Sequence, residues 1–153
     1  MSEHSIAYGS FTIERFYPAK PQKVFRAHSD AAIKRRWFAE GEGWDIETYE
    51  LDFRVGGTES SSFRFRGGDL ITFDGTYLDI VPDARVILAY GMTVAGRRIS
   101  ASLASTEFKP EGSGTRLVFT EQGAYLDGQD QIPQREEGTR ELFEALAREL
   151  EKL

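Results

Sequence analysis

The chain has no cysteine and only two histidines, His4 and His28, among 153 residues. The first absence excludes disulfides, thiolate catalysis and cysteine-ligated zinc or iron–sulfur sites. The second leaves no two-histidine metal spacing and no H-E-x-x-H pattern, and any imidazole base acting on a Ser or Thr nucleophile would have to be one of these two residues. His4 lies near the amino terminus. His28 falls near the end of an expected first helix, where a proton-bearing imidazole complements the helix dipole, so it is read as structural. No metal and no cofactor are expected. Long apolar runs are missing too: none approaches the ~18 to 20 residues of a membrane span. Residues 1–10 carry neither the positive stretch nor the apolar core of a signal peptide. A soluble, cytoplasmic protein is the expectation.

Positive charge is in short supply, with 19 Lys plus Arg against 25 Asp plus Glu and a net charge of −6. Such a balance repels phosphate backbones and anionic lipid unless cations gather on one face. Arg97 and Arg98 form the one clear basic pair outside a helix and are read as a solvated strand end. Neither nucleic acid nor a membrane is expected as a partner. Gly56-Gly57 and Gly67-Gly68 lack the lysine-ended loop and following helix that make phosphate binding specific, and are read as turns.

What is present suits one domain covering residues 1–153, with its core at about 11–152: 40% of the side chains are hydrophobic and 12% aromatic, with no repeat and no linker. Residues 11–17 alternate apolar and polar side chains at period two, and Pro18 ends that strand. Pro21 suits the first turn of a helix holding Val24, Phe25 and His28 on one face. Ser29-Asp30 offers the N-cap of a second short helix, with Ile33 and Trp37 four apart. Period two then returns from Trp44. Tyr49, Leu51, Phe53 and Val55 point one way until Gly56-Gly57, and Phe63 and Phe65 form the next row. Residues 73–81 and 86–90 flank a Pro82-Asp83 turn, and residues 97–108 and 115–121 form a last hairpin around 110–114. An antiparallel meander follows from the short connections. Residues 131–152 then read as a helix with Leu142, Phe143, Leu146, Leu150 and Leu153 on one stripe and Glu141, Glu144, Arg148 and Glu151 on the wet side. Its span of roughly 30 Å crosses a whole curved sheet. The fold class is α+β: a curved antiparallel sheet of about seven strands, two short helices after the first strand, and a long C-terminal helix across the concave face.

Several fragments in this order resemble the SRPBCC superfamily of START-like helix-grip proteins and, within it, the activator of heat-shock protein 90 ATPase homologue family. They are Ala19-Lys-Pro21 with Val24-Phe25, Arg36-Trp37-Phe38, Asp52 through Gly56-Gly57, Gly75-Thr-Tyr77 before Pro82, and Gly114-Thr-Arg-Leu117 with Thr120. One departure is Gly138-Thr139, where relatives commonly place a tryptophan after the glycine. The resemblance implies an apolar cavity between sheet and long helix, used across the superfamily for lipids, sterols, polyketides and aromatic compounds. The family takes its name from a co-chaperone in which such a domain is joined to a larger partner domain; nothing resembling that partner stands in these 153 residues, so the name is not read as an activity.

In a helix-grip fold, Trp37, Phe38, Trp44, Tyr49, Phe53, Phe63, Phe65, Phe73, Tyr77, Tyr90, Met92, Phe119 and Phe143, with Leu146 of the last helix, converge on the space beneath that helix. Any one of them is core; as a set they surround an apolar pocket. Two acids bear on catalysis. The inward parity of Phe63 and Phe65 extends back to Glu59, and that of Leu117 and Phe119 extends forward to Glu121. If buried, either carboxyl would have its pKa raised and could serve as a general base. The expectation is solvation at strand ends, because a bulge at Gly56-Gly57 would shift the parity and no partner for either acid is visible. The leading functional expectation is non-catalytic binding of a small, mainly hydrophobic molecule (lipid, polyketide-like or aromatic). An enzyme of cyclase, dehydratase or hydrolase type using Glu59 or Glu121 with a tyrosine is the alternative. The third is a co-chaperone-like module with a chaperone-type protein partner.

Overall fold

The computed structural model describes residues 4–153. Its elements are β1 (Ile6–Tyr17), α1 (Pro21–Ser29), α2 (Ala31–Phe38), β2 (Trp44–Leu51), β3 (Thr58–Phe65), β4 (Ile71–Val81), β5 (Arg85–Val94), β6 (Arg97–Glu111), β7 (Gly114–Leu126) and α3 (Ile132–Leu150). The strands form one seven-stranded antiparallel sheet in the order β1-β7-β6-β5-β4-β3-β2. β2 to β7 follow one another as a meander. β1 is carried away from β2 by the intervening helices and closes the opposite edge, pairing from Ile6↔Leu126 to Tyr17↔Thr115. The α+β helix-grip arrangement expected from the sequence is the one found.

Local chemistry accounts for the boundaries. Pro21 opens α1, and Asp30 Oδ1 caps α2 by accepting from the Ala32 and Ile33 amides at 3.0 and 3.1 Å. Gly56 has φ +84°, which glycine adopts without penalty, and the Gly57 amide donates to Arg54 O at 2.8 Å, so this pair makes the expected turn. Three readings need correction. The strand ends at Leu51 and does not continue through Val55, which is exposed; Phe53 turns inward from the following loop onto Phe25 and Tyr77, at ring separations of 5.6 and 4.9 Å. The last hairpin turns through Gly112 and Ser113 alone, with Glu111 opposite Gly114, because Pro110 fits within a strand pair so close to the turn. Finally, β1 begins at Ile6: the less patterned residues before Phe11 are held by pairing along β7.

The core lies between the inward face of the sheet and the three helices, and Ile13, Val24, Leu117 and Leu146 are fully buried there. On α3, Phe143, Leu146 and Leu150 face inward as the periodicity requires. Leu153 lies past the helix end and is exposed, while Glu149 is buried, with Arg36 Nε at 2.5 Å. Polar ties join α3 to β1: the Tyr17 hydroxyl donates to Phe143 O at 2.9 Å, and Arg15 pairs with Glu144 at 2.9 Å. Replacing Leu146 with Ala removes a fully buried side chain at this junction. The loss expected in chemical denaturation is about 2–5 kcal/mol.

Candidate functional site

A cavity of about 590 Å³ lies between sheet and α3. Its floor is the inward face of β5, where Val86, Leu88, Tyr90, Met92 and Val94 all border it. Eight residues of strand rise make this floor about 26 Å long. Val86 and Leu88 are buried and the later three are partly exposed, so the space is closed toward Val86 and open toward Val94. Gln134, Gly138 and Glu141 of α3 and residues 40–42 after α2 border it too. A Cβ built on Gly138 would meet no atom within 4 Å. Beside it, in the position where a tryptophan was noted as common, Thr139 turns its hydroxyl back to Arg135 O at 2.9 Å.

Most of the pocket residues singled out from the sequence meet here: Trp37, Phe38, Trp44, Phe53, Phe63, Phe73, Tyr77, Tyr90, Met92, Phe119 and Phe143 all border the space. Three do not. Leu146 is packed in the core, Phe65 lies outside against Trp44 with the rings tilted at 4.6 Å, and Tyr49 stands behind the wall with its hydroxyl on Glu59. Sequence reasoning passed over Lys34, Ser61, Asp130 and Arg135, all cavity-wall residues. Lysine and arginine on helices look like solvated side chains until the sheet acids they serve are known to be buried.

Both acids are buried. Glu59 and Glu121 each have 0% exposure, which overturns the expectation that they are solvated strand ends. The pairing of β3 with β4 runs unbroken from Thr58 to Phe63, so the parity that pointed Glu59 inward is preserved. Most of the partners come from other elements of the chain. Glu59 Oε1 accepts from Lys34 Nζ at 3.2 Å and the Tyr77 hydroxyl at 2.7 Å, and its Oε2 accepts from Tyr49 at 2.7 Å. Glu121 Oε1 accepts from Tyr90; its Oε2 accepts from Ser102 at 3.2 Å, Tyr125 at 2.9 Å and Arg135 Nη1 at 3.2 Å. Arg135 also pairs with Asp130 and donates to the Tyr90 hydroxyl and Ser100 Oγ, each at 2.8 Å. Burial, followed by the adjoining carboxylate, pushes the Tyr49, Tyr77, Tyr90 and Tyr125 hydroxyls upward, so all four remain donors at neutral pH. Tyr125 reaches Glu121 by lying along its own strand over Gly123, where a Cβ would come within 2.7 Å of the ring.

Two further polar groups on the wall stand apart from these clusters. Ser61 Oγ is buried and, among the described residues, is the buried side-chain polar atom without a hydrogen-bond partner. His28 is buried against Trp37 and Phe108, at ring separations of 5.0 and 4.9 Å, with Nδ1 2.9 Å from Val24 O. Burial, and then the Lys34 ammonium, lower its pKa to about 3. His28 is therefore neutral; the proton-bearing role at the helix end is corrected. Among the described residues no group of His, Asp and Glu could hold a metal ion, and no helix is long and apolar enough to cross a membrane.

The profile of the family described as activator of Hsp90 ATPase homolog 1-like protein matches residues 18–151, and the chain belongs to that family. No functionally curated protein matches it. A crystal structure of a Rhizobium loti protein is 48% identical, covering 95% of this chain and 99% of that one with a TM-score of 0.88. An uncharacterized Rhizobium leguminosarum protein is 41% identical, covering 99% and 100% with a TM-score of 0.95. The solution structure of an AHSA1-like protein from Aeromonas hydrophila, 19% identical over 94% of this chain and 93% of that one, shares the fold at a TM-score of 0.73.

Two outcomes follow from this geometry. Glu121→Gln leaves the buried Arg135 guanidinium with Asp130 as its one remaining carboxylate, and is expected to lower the unfolding free energy by roughly 3 kcal/mol in urea titration. The folded pKa of His28, about 3, lies below the ordinary 6.5, so between those values the unfolded chain takes up a proton that the folded chain refuses. His28 therefore contributes stability in full above pH 6.5, and that contribution is lost as pH falls toward 3. His28→Gln should flatten the fall in Tm between pH 6 and 4 relative to the unaltered protein.

Proposed function

We propose that this member of the activator of Hsp90 ATPase homolog 1-like family binds a small, mainly hydrophobic molecule, lipid-like, polyketide-like or aromatic, in the space beneath α3, without transforming it. The observation that carries the reading is the cavity itself: about 590 Å³, floored by one whole strand face and walled by aromatic and aliphatic side chains. That volume falls within the range of small-molecule sites, and burial of an apolar guest supplies the affinity at about 25 cal/mol per Å². Lys34, Glu121, Asp130 and Arg135 in the wall are held in ion pairs, which leaves the apolar surface as the main contact. A cytoplasmic setting is part of the same proposal.

One observation favours an enzyme instead: Glu121 and Tyr90 both border the cavity and are hydrogen-bonded to each other. A general base needs a lone pair free to face its substrate. Glu121 already accepts from Tyr90, Ser102, Tyr125 and Arg135, and Glu59 does not reach the cavity, so binding is the better-supported reading. The co-chaperone-like alternative needs a continuous apolar surface. The exposed apolar residues on the outer face of β1 are Ile6 and Tyr8 at one end and Phe16 at the other, with Ser10, Thr12 and Glu14 between them.

Native mass spectrometry of protein isolated from its own cells should show a retained small molecule. Met92→Trp, which places an indole over the cavity floor, should remove that molecule while leaving Tm unchanged or higher. Repeated isolation of the empty protein, together with no thermal shift from a library of apolar compounds, would overturn the reading.

A further inference from the structure

We infer that the closed end of the cavity recognises the hydroxyl group of an uncharged ligand, which donates its hydrogen to Nε2 of His28. The inference rests on the binding reading above and specifies the chemical class of the guest. His28 borders the cavity at the end where Val86 and Thr106, both buried, also line it. A carbonyl oxygen can only accept, so the 2.9 Å contact with Val24 O fixes the hydrogen on Nδ1 and leaves Nε2 as a bare lone pair. Among the described residues no hydrogen bond reaches that atom, and because it is not one of the fully enclosed polar atoms left without a partner, it keeps open space beside it. Burial and the nearby Lys34 ammonium keep the ring neutral at physiological pH, so Nε2 remains an acceptor throughout.

Other ligand chemistries fit less well. At the closed end a carboxylate would set acceptor against acceptor at His28 and meet no free cation, because Lys34 is already engaged with Glu59, and Arg135 with Glu121 and Asp130; Arg148, which also borders the cavity, is exposed. An ammonium at the closed end would approach Lys34, whose carboxylate partner Glu59 is already engaged; the carboxylates of Glu42 and Glu141 also border the cavity but are exposed. Ketones and esters have no hydrogen to give. An alcohol or phenol supplies the missing donor and carries no charge into an apolar space. Ser61 Oγ, buried on the same wall and without a partner, is a second polar point that such a guest can satisfy through rotation of the serine side chain.

The experiment compares naphthalene, 2-naphthol and 2-naphthoate by isothermal titration and by quenching of Trp37, whose ring lies 5.0 Å from His28. In the unaltered protein, 2-naphthol should bind more tightly than 2-naphthoate by at least tenfold. The preference for 2-naphthol over naphthalene should fall about five- to tenfold in His28→Phe, which keeps a ring and removes the acceptor, and persist in His28→Gln, whose amide oxygen takes the place of Nε2. If His28→Phe does not fold, the three-ligand series on the unaltered protein and on His28→Gln still decides. An unchanged preference in His28→Phe, or tighter binding of 2-naphthoate, would overturn the inference while leaving the cavity reading intact. Failure of all three compounds to bind would overturn the inference, while the cavity reading stands or falls on the native mass spectrum and the compound library.

Discussion

The ion pair between Arg135 and Glu121 is the constraint on which this architecture depends. Protein interiors pack to the density of organic crystals, and a long amphipathic helix over a curved sheet would ordinarily settle until its side chains met the strands. Here the first half of α3 is fixed to the sheet through a guanidinium that reaches residues on β5, β6 and β7. Its second half is fixed through the Tyr17 hydroxyl and by Arg36 on Glu149. Rigid, directional contacts set a separation that apolar packing alone would close. Burying a charge pair stabilises little beyond what well-packed apolar groups would, and its geometric effect is that the space between its anchors remains unfilled.

Interior charges are arranged in keeping with this. Glu59 and Glu121 are each served by a cation from a helix and by hydroxyls from strands, so the sheet and the helices are joined through the same groups. Tyrosine suits the role because its ring fills apolar volume while its hydroxyl remains a donor. Glycine makes the contact geometrically available at Gly123, since any side chain there would collide with the Tyr125 ring. The result is a wall in which the side chains of Tyr90, Glu121, Asp130 and Arg135 are turned toward one another, with His28 and Ser61 standing outside that arrangement.

Much of this was legible in the sequence. Period-two alternation, Pro21, the Asp30 cap and the amphipathic stripe of α3 are local signals, and they located nearly every element. Residue parity placed Glu59 and Glu121 on the inward face. What could not be read locally was the identity of their partners. Lys34 lies 25 residues from Glu59 and Tyr90 lies 31 from Glu121, separations that only the sheet order closes. The same applies to His28: its place in the sequence suits a charged residue at a helix end, and its burial beneath Trp37 and against Phe108, a strand residue far along the chain, makes it neutral. Val55 failed for the opposite reason, because an alternating pattern runs on past Leu51 after strand pairing has stopped.

The outer margin of the sheet at β2 bears on how the molecule stays separate from its copies. An unpaired strand invites another chain to continue the ladder. Along β2 the register slips between Ile46 and Thr48, which interrupts the straight row of amides and carbonyls a newcomer would have to match. Asp45, Glu47 and Glu50 lie on the same short strand and give two such margins the same sign of charge. The irregularity that complicates a reading of the strand from its alternation thus works against fibrillar growth.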